Sequence, residues 1–290
     1  MNLHKLIAHV QRSKNLQASD IYQGASSKQM YQKFIHGLKH VPEQVFLKYL
    51  EHLHLTTEEL LQMAEGYDSH NLYYELVEAK LEHNNMKIMK LKEVCQSLKK
   101  TQNNDVFQHL EDMIDIWQEN FQAEMSLIKY LSNVRQWSSY EIRLLSAIIL
   151  FLPFDLAKEL YHRAKAQIYG YGKRHQQKKE LIWLDLYYLI TCLKNKELEQ
   201  FEKYLREVKR KSFSEYLLSE RIMYLLIEDI YLIMKNPDSI EGHELLKQDF
   251  TLLKRLDCNR LTSGTLKLLV NLISPQSAEA KKQINELFPF

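Results

Sequence analysis

The sequence predicts an all-α fold, in which a small N-terminal group of about five short helices precedes a solenoid of longer paired helices. Two observations predict it. The chain of 290 residues contains only 7 Gly and 5 Pro, so few positions favour tight turns or interrupt a helix. Apolar residues recur three and four positions apart along nearly the whole chain, which is the spacing of an amphipathic helix rather than of a strand.

The first three helices are predicted from apolar spacing and from the residues between them. The segment LHKLIAHVQRSK, residues 3–14, places four apolar side chains on one helical face. A short helical piece follows near residues 19–22, and another covers residues 27–36. All three are short, which is typical of a small domain whose helices pack across one another.

Capping residues predict where the fourth and fifth helices begin. The segment PEQVFLKYLEHLHL starts with Pro42, whose restricted φ suits the first position of a helix. The fifth helix opens with TTEELLQMA, where Thr56 and Glu59 have the spacing of a capping box. A first domain is therefore predicted for residues 1–66, followed by a linker at residues 67–72.

The helices predicted beyond residue 70 are longer and are joined by brief breaks. Two breaks carry capping boxes, Ser138 with Glu141 and Ser212 with Glu215. Helix pairs recur at intervals of roughly 35 to 40 residues, as in two-helix repeats of the tetratricopeptide (TPR) type, although the TPR sequence pattern itself is absent. We therefore predict a TPR-like repeat domain at residues 73–290. The predicted breaks lie near residues 83–85, 101–104, 135–138, 153, 169–176, 195, 211–214, 236–239, 259–263 and 274–275.

Residues 16–37, LQASDIYQGASSKQMYQKFIHG, fit a helix-turn-helix. A small-residue turn at Gly24 separates two helical pieces, and Ser26 or Ser27 can cap the second piece. Because short polar helices are common, two small helices of an ordinary bundle remain an alternative on pattern alone.

The second helix of this motif has two faces. Met30, Tyr31 and Phe34 can face the core, which leaves its polar side chains for the grooves of DNA. Gln can pair with an adenine edge, and Lys can contact guanine or a phosphate. In residues 1–40 Asp20 is the only acid, so the local charge is basic. The predicted DNA-contacting residues are Arg12, Lys14, Ser27, Lys28, Gln29, Gln32, Lys33 and His36.

Charge and hydropathy exclude several other classes of protein. The formal net charge is +2, so no overall field attracts the chain to nucleic acid or to a membrane. The longest apolar run, residues 144–154, is interrupted by Ser146 and Pro153 and falls well short of the ~20 residues that span a bilayer. The N-terminus lacks the apolar core of a signal peptide. We expect a cytoplasmic protein without a membrane partner.

No motif for catalysis, cofactor binding or metal binding is present, so we expect neither an enzyme nor a cofactor. The chain has no Gly-rich phosphate loop, no nucleophile elbow and no candidate catalytic triad. The cysteines are far apart and without a Cys-x-x-Cys pair, and are predicted to be buried: Cys95, Cys192 and Cys258. One run of acids lacks a partnering Glu-x-x-His and is predicted to be a solvated helix face: Glu111, Asp112, Asp115 and Glu119.

The segment SSKQMYQKFIHG, followed by a Pro-led helix and LHLTTEELL, resembles the Cro/C1-type helix-turn-helix of the Rgg/MutR/GadR family of peptide-responsive transcriptional regulators. That family typically reads Ser-x-x-x-Ile-Ser-Arg-Phe-Glu-x-Gly here. The matching positions are Ser27, Tyr31, Gln32, Lys33, Phe34, Ile35, His36 and Gly37. Two later segments extend the resemblance in the correct order: QWSSYEIRLLSAIILFL resembles a Trp-x-x-Tyr-Glu-Leu segment through Trp137, Tyr140, Glu141 and Ile142, and LSERIMYLLIEDIYLI resembles a helix with a Glu-Arg pair, here Glu220 and Arg221.

The resemblance implies a homodimer that binds a double-stranded DNA operator and, through its C-terminal repeats, a short peptide pheromone. Two departures from the family pattern imply altered specificity or weaker affinity: Lys33 replaces an Arg and Ile35 replaces a Glu. Ala147 stands roughly where the family often has an Asn. The candidate peptide-binding residues are Arg143, Tyr187, Tyr188 and Arg221.

Two hypotheses therefore remain open from the sequence. The first is a dimeric, peptide-responsive transcription factor, favoured by the basic bias before His40 and by the polar residues of the second helix. The second is a helical-repeat module for protein–protein interaction whose helix-turn-helix has degenerated and no longer binds DNA. Ile35 and the modest net charge favour the second hypothesis.

Overall fold

A computed structural model describes residues 3–57, 59–60, 69–102, 104–167, 175–210, 217–237 and 239–255. Every regular element in these ranges is helical, and no strand occurs among them. The chain divides into two compact units, Met1–Asp68 and Ser69–Phe290. The predicted all-α fold is confirmed, whereas the DNA-binding and peptide-binding roles predicted for the two domains stay predictions.

The first unit is built from short helices around an aromatic core. Its helices are α1 (Leu3–Ser13), α2 (Ala18–Tyr22), α3 (Lys28–Ile35) and α4 (Glu43–His52). Helix α1 packs on α3, and α2 packs on both α3 and α4. The buried core consists of Leu6, Ile7, Val10, Ile21, Tyr31, Phe34, Tyr49, Leu50, Leu53 and Leu60.

The start of α4 differs by one residue from the prediction. Pro42 has φ −57° and ψ 148°, so it is the N-cap residue, and the first helical residue is Glu43. The predicted capping box further along is confirmed: the Thr56 N–H donates to Glu59 Oε2 at 2.7 Å, and the Glu59 N–H donates to Thr56 Oγ1 at 3.1 Å. These hydrogen bonds hold the pKa of Glu59 below its usual range. The rest of the predicted fifth helix lies largely outside the described residues.

The second unit consists of longer helices that alternate between two layers. They are α5 (Ser69–Leu81), α6 (Asn85–Gln102), α7 (Asp105–Trp117), α8 (Ser126–Asn133), α9 (Ser139–Ile148), α10 (Phe154–Gln167), α11 (His175–Lys194), α12 (Leu198–Arg210), α13 (Leu218–Lys235) and α14 (Ile240–Arg255). A short 3-10 turn, Ile149–Phe151, follows α9. The odd-numbered helices contact one another in chain order, and we call them the odd layer. Each even-numbered helix packs on one or both odd neighbours, as in TPR-like repeats.

Most of the predicted helix breaks within the described ranges are confirmed. The box at the start of α9 is present, because Ser138 N–H and Ser138 Oγ both donate to Glu141 Oε2 at 2.7 Å. One break, residues 118–125 between α7 and α8, was not predicted. Helix α7 ends at Trp117, and Glu119, two residues later, has φ +63°, while no Gly or Pro marks this helix end in the sequence. The predicted Ser212–Glu215 box and the breaks near 259–263 and 274–275 lie outside the described residues.

None of the described helices combines the length and the apolar character needed to cross a membrane.

Candidate functional sites

The α2–α3 segment forms the turn and second helix that the sequence predicted. Gly24 has φ +76°, a conformation that glycine adopts at no steric cost, and it lies between the two helices. Ser27 is the N-cap of α3, where its side chain accepts a hydrogen bond from the Met30 N–H at 3.2 Å. Gly37, with φ +71°, ends α3, and its N–H donates to Phe34 O at 2.8 Å. A Cβ at Gly37 would lie only 2.9 Å from the His4 ring.

The buried face of α3 is held by aromatic rings. The ring centroid of Tyr49 on α4 lies 5.2 Å from that of Tyr31 and 5.8 Å from that of Phe34. The Tyr31 hydroxyl donates to Gln11 Oε1 on α1 at 2.7 Å. Burial, followed by the neighbouring Tyr49, raises the pKa of Tyr31 to about 12, so its hydroxyl stays protonated. Helix α3 is thus fixed on α1 and α4 by one side only.

The opposite face of α3 is exposed. Within the first unit, no described element covers the predicted DNA-contacting side chains of this helix and its ends, which are all exposed: Ser27, Lys28, Gln29, Gln32, Lys33 and His36. We call these six residues the α3 polar face. Their arrangement follows from helical geometry, because Tyr31 and Phe34 occupy the inward positions three residues apart. Their contact with DNA stays a prediction.

The two basic residues predicted on α1 and after it have different surroundings. Arg12 is exposed, and its Nε donates to Ala8 O within α1 at 3.1 Å. The Lys14 ammonium instead donates to Leu53 O at 2.6 Å and to His54 O at 3.2 Å. It therefore satisfies carbonyl groups at the end of α4 while its side chain remains exposed, and its contact with DNA stays a prediction.

Helix α4 fixes the turn between α2 and α3 through contacts that sequence reasoning missed. His52 Nδ1 lies 2.8 Å from Ile21 O, and Lys48 Nζ donates to Gly24 O at 3.3 Å. The Ser26 and Tyr49 hydroxyls form a short hydrogen bond. No local sequence pattern predicts these hydrogen bonds, because the bonded residues lie 23 to 31 positions apart in the chain.

In the second unit, the predicted residue Arg143 joins three helices of the odd layer. Its guanidinium donates to Tyr74 Oη on α5 at 3.1 Å and lies 3.4 Å from Glu180 Oε1 on α11. Its backbone carbonyl accepts a hydrogen bond from Tyr73 Oη at 3.0 Å. Arg143 remains half-buried, and Tyr74 is 44 % exposed. This cluster presents a cation, a carboxylate and an aromatic ring on one surface.

The two predicted tyrosines of α11 have different environments. Tyr187 is half-buried, with its ring centroid 5.5 Å from that of Trp183, and burial raises the pKa of Tyr187 to about 12. Tyr188 is fully buried and stacks on Tyr161 at 3.9 Å between centroids. The prediction that Tyr188 contacts a peptide is therefore wrong, because successive residues of a helix point about 100° apart and Tyr188 points into the core.

The Glu-Arg pair at the start of α13 separates into a buried and an exposed residue. Glu220 is fully buried, accepts a hydrogen bond from Trp183 Nε1 at 2.6 Å and lies 3.7 Å from Lys179 Nζ. Arg221 is exposed, as a peptide-contacting residue needs to be. Glu220 therefore joins α13 to α11, a role that the sequence alone did not indicate.

The acidic run of α7 is not the solvated face that the sequence predicted. Glu111 and Asp112 are buried, Asp115 is half-buried and Glu119 is exposed. Asp112 accepts hydrogen bonds from the Leu127 N–H at 2.8 Å and from Gln108 Nε2 at 2.6 Å, which compensates its burial. The prediction failed because helices on two sides contact this run: α8 contacts Asp112, and α6 contacts Glu111 and Asp115 through the ion pairs of Lys99 and Lys92.

The remaining candidate groups are packing residues within the described ranges. Cys95 and Cys192 are buried, and burial raises the pKa of each thiol to about 12, so neither forms a thiolate readily. Cys258 lies outside the described residues. No group of three potential metal ligands occurs in the part of the chain that the structure describes.

The family model for the C-terminal domain of the HTH-type transcriptional regulator Rgg matches residues 70–265. A search of curated proteins finds no match. Among solved structures, the chain is similar to the Streptococcus dysgalactiae SHP pheromone receptor Rgg2, with 17 % identity, a TM-score of 0.67, and coverage of 98 % of this chain and 99 % of that chain.

It is also similar to the PrgX/cCF10 complex, with 14 % identity, a TM-score of 0.62, and coverage of 98 % of this chain and 92 % of that chain. These likenesses confirm the fold, and the match to the family model covers well over half of the sequence. The chain belongs to the Rgg family of HTH-type transcriptional regulators, which are not enzymes.

Proposed function

We propose that this protein binds duplex DNA through the α3 polar face and is controlled by a short peptide bound to the odd layer. The observation that carries the proposal is the division of α3 into two faces. Tyr31 and Phe34 fix the helix on α1 and α4, while six polar side chains remain exposed on the other side. A recognition helix needs this combination of a rigid base and free polar groups.

The side chains of the α3 polar face are chemically suited to DNA. Gln29 and Gln32 each carry an amide that can bond both N6 and N7 of adenine. Lys28 and Lys33 can contact guanine or neutralise phosphates, and each is exposed. The Lys at position 33 is a point charge without the fork of an Arg, so we expect phosphate attraction rather than bidentate base recognition from it.

The odd layer offers groups that could hold an extended peptide. Arg143, Tyr74 and Glu180 supply charges and an aromatic ring, and Trp183 and Tyr187 are half-buried beside them on α11. Solved structures of similar fold are described as a pheromone receptor and as a bacterial peptide pheromone/receptor complex. Those descriptions support a peptide as the class of ligand.

We further propose that the protein acts as a homodimer. Two recognition helices in a dimer read half-sites whose separation must match the spacing of the helices. A peptide that prefers one arrangement of the repeat units then shifts the population of DNA-binding dimers.

Replacing Lys33 with alanine is expected to weaken DNA binding and to reduce its salt dependence. One phosphate contact fewer lowers the slope of log K against log salt concentration by about one unit. The measurement is fluorescence anisotropy of the full chain with labelled genomic duplexes at several salt concentrations. Lys247→Ala, on α14, makes the same change of charge in the second unit and should leave the slope unchanged.

If the full chain and both variants show no salt-sensitive retention of duplex DNA, the alternative hypothesis of a degenerate helix-turn-helix in a protein-interaction module is supported instead. Equal losses for Lys33→Ala and Lys247→Ala would also contradict the proposed α3 polar face, because the effect would then reflect total charge alone.

Replacing Arg221 with alanine is expected to weaken peptide binding by roughly tenfold, because an exposed guanidinium that pairs with a peptide carboxylate or carbonyl is lost. Peptides selected from a random octapeptide display library on the full chain serve as the probe, and calorimetry measures their affinity. Arg206→Ala removes an exposed guanidinium from α12, which is outside the odd layer. Equal affinity of the two variants for every selected peptide would place the binding surface elsewhere.

A further inference from the structure

A cavity of about 580 Å³ lies between the start of α7, α8 and the start of α9. Its size is within the range of pockets that hold small organic ligands. The residues that matter for its chemistry are Asn104, Asp105 and His109 from the α7 side, Lys129 and Tyr130 from α8, and Tyr140 from α9. None of them is among the residues predicted from the sequence to bind DNA or peptide.

Three aromatic rings form one wall of this cavity. The His109 ring lies 4.7 Å from that of Tyr130 and 6.2 Å from that of Tyr140, measured between centroids. His109 Nδ1 is 2.8 Å from the Tyr140 hydroxyl, and the Tyr130 hydroxyl donates to the buried Glu141. These hydrogen bonds fix the rings, so the wall is already in place before any ligand binds.

The charge around the cavity is negative. Burial lowers the pKa of His109, although Asp112, Asp105 and Glu141 act in the opposite direction, so the imidazole is neutral near pH 7. Asp105 is exposed at the first turn of α7 and forms no ion pair within the described part of the chain. Among the described residues that line the cavity, Lys129 is the one that carries an ammonium, and this ammonium is 2.8 Å from Glu124, which offsets its charge.

We infer that this cavity binds an organic cation, with an ammonium or guanidinium group placed against the Tyr130–Tyr140–His109 wall and paired with the Asp105 carboxylate. The faces of aromatic rings attract cations, and an unpaired carboxylate beside them adds a directional partner. An anion would instead meet the Asp105 carboxylate at a site whose lining ammonium, that of Lys129, is already paired with Glu124, and a neutral ligand would make no use of the charge of Asp105. The cation could belong to a free polyamine or to a basic residue of a peptide.

Butylammonium is the test probe, with butyrate and butanol as probes of the same chain length. Ligand-observed NMR on the full chain, without DNA or peptide, is expected to show saturable binding of butylammonium and much weaker binding of the other two. Asp105→Asn should weaken butylammonium binding roughly fivefold. Asp155→Asn removes an exposed first-turn carboxylate from α10 in the same way and should leave the affinity unchanged.

Spermidine and N-acetyl-lysine methylamide then compete with butylammonium, and the stronger competitor distinguishes a free amine from a peptide side chain. The inference is overturned if butyrate or butanol binds as well as butylammonium, if neither competitor displaces it, or if the two Asp→Asn variants behave alike. Because the assay contains no DNA, a negative result leaves the proposed DNA binding untouched.

Discussion

Replacing Glu141 with alanine is expected to lower the free energy of unfolding of the second unit by about 3 kcal/mol. The Glu141 carboxylate is only 4 % exposed, accepts hydrogen bonds from Ser138 N–H and Ser138 Oγ, and accepts a third from the Tyr130 hydroxyl. Its loss removes the capping box of α9 and leaves the Tyr130 hydroxyl without its acceptor. Urea unfolding followed by Trp fluorescence measures the change, because all three tryptophans, Trp117, Trp137 and Trp183, lie in this unit.

The same carboxylate makes stability depend on pH at the acid end. Burial alone would raise the pKa of Glu141, but the hydrogen bonds from Tyr130 and Ser138 outweigh it and hold the pKa below its usual range. Its stabilisation is therefore present above the ordinary carboxyl range and is lost as pH falls through the lowered pKa.

Glu199→Ala is the control for Glu141→Ala: it removes an exposed first-turn carboxylate from α12 and should lower the free energy of unfolding by under about 1 kcal/mol. If Glu199→Ala lowered the free energy of unfolding as much as Glu141→Ala, the burial and hydrogen bonds of Glu141 would not be the source of its stabilising effect.

Replacing Asp229 with asparagine is expected to stabilise the second unit at pH 9 by about 2 kcal/mol and to change stability little at pH 5. Asp229 is 5 % exposed on α13, and its Oδ2 has no hydrogen-bond partner among the described residues. Burial, together with Asp249 on α14 and Glu228 on its own helix, raises the pKa of Asp229 to about 8. Burial also raises the pKa of Asp249.

The sign of this effect follows from proton binding. At pH values between the ordinary carboxyl pKa and about 8, the Asp229–Asp249 pair of the folded chain holds a proton that the unfolded chain has released. The wild-type protein therefore loses stability as pH rises through this range. Asparagine cannot ionise, and the α13–α14 contact then keeps its stability. Urea unfolding at pH 5 and pH 9 measures the difference, with Asp155→Asn as an exposed control. An equal effect of Asp229→Asn at both pH values would mean that the pair is ionised in the folded protein.

The helices of this chain were largely predictable because their signals are local. A capping box needs only two residues three positions apart, and the boxes at Thr56 and Ser138 are both present. The break at residues 118–125 was missed because Glu119, two residues after the end of α7 at Trp117, adopts a left-handed conformation in which glycine is usual and glutamate is not. Pro42 was misplaced by one residue for a similar reason, since its φ suits both the N-cap and the first helical position.

The candidate site residues were less predictable, because exposure depends on what packs on each helix. Three residues of the α3 polar face, Lys28, Gln32 and Lys33, follow directly from the positions of Tyr31 and Phe34 on the same helix. Tyr188 and Lys14 do not follow from such spacing. Tyr188 is covered by Tyr161 from α10, and the Lys14 ammonium donates hydrogen bonds to carbonyl groups 39 and 40 residues away in the chain.

The sequence by itself determined the helical class, most helix ends within the described ranges and the two-faced character of α3, because periodicity and capping act within a few residues. Only the tertiary structure decided which polar groups are buried and which residues contact them. Glu220 with Trp183, Asp229 with Asp249 and the wall of His109, Tyr130 and Tyr140 each join residues from different helices. Burial and the pKa of a side chain depend on those distant neighbours, and no local pattern specifies them.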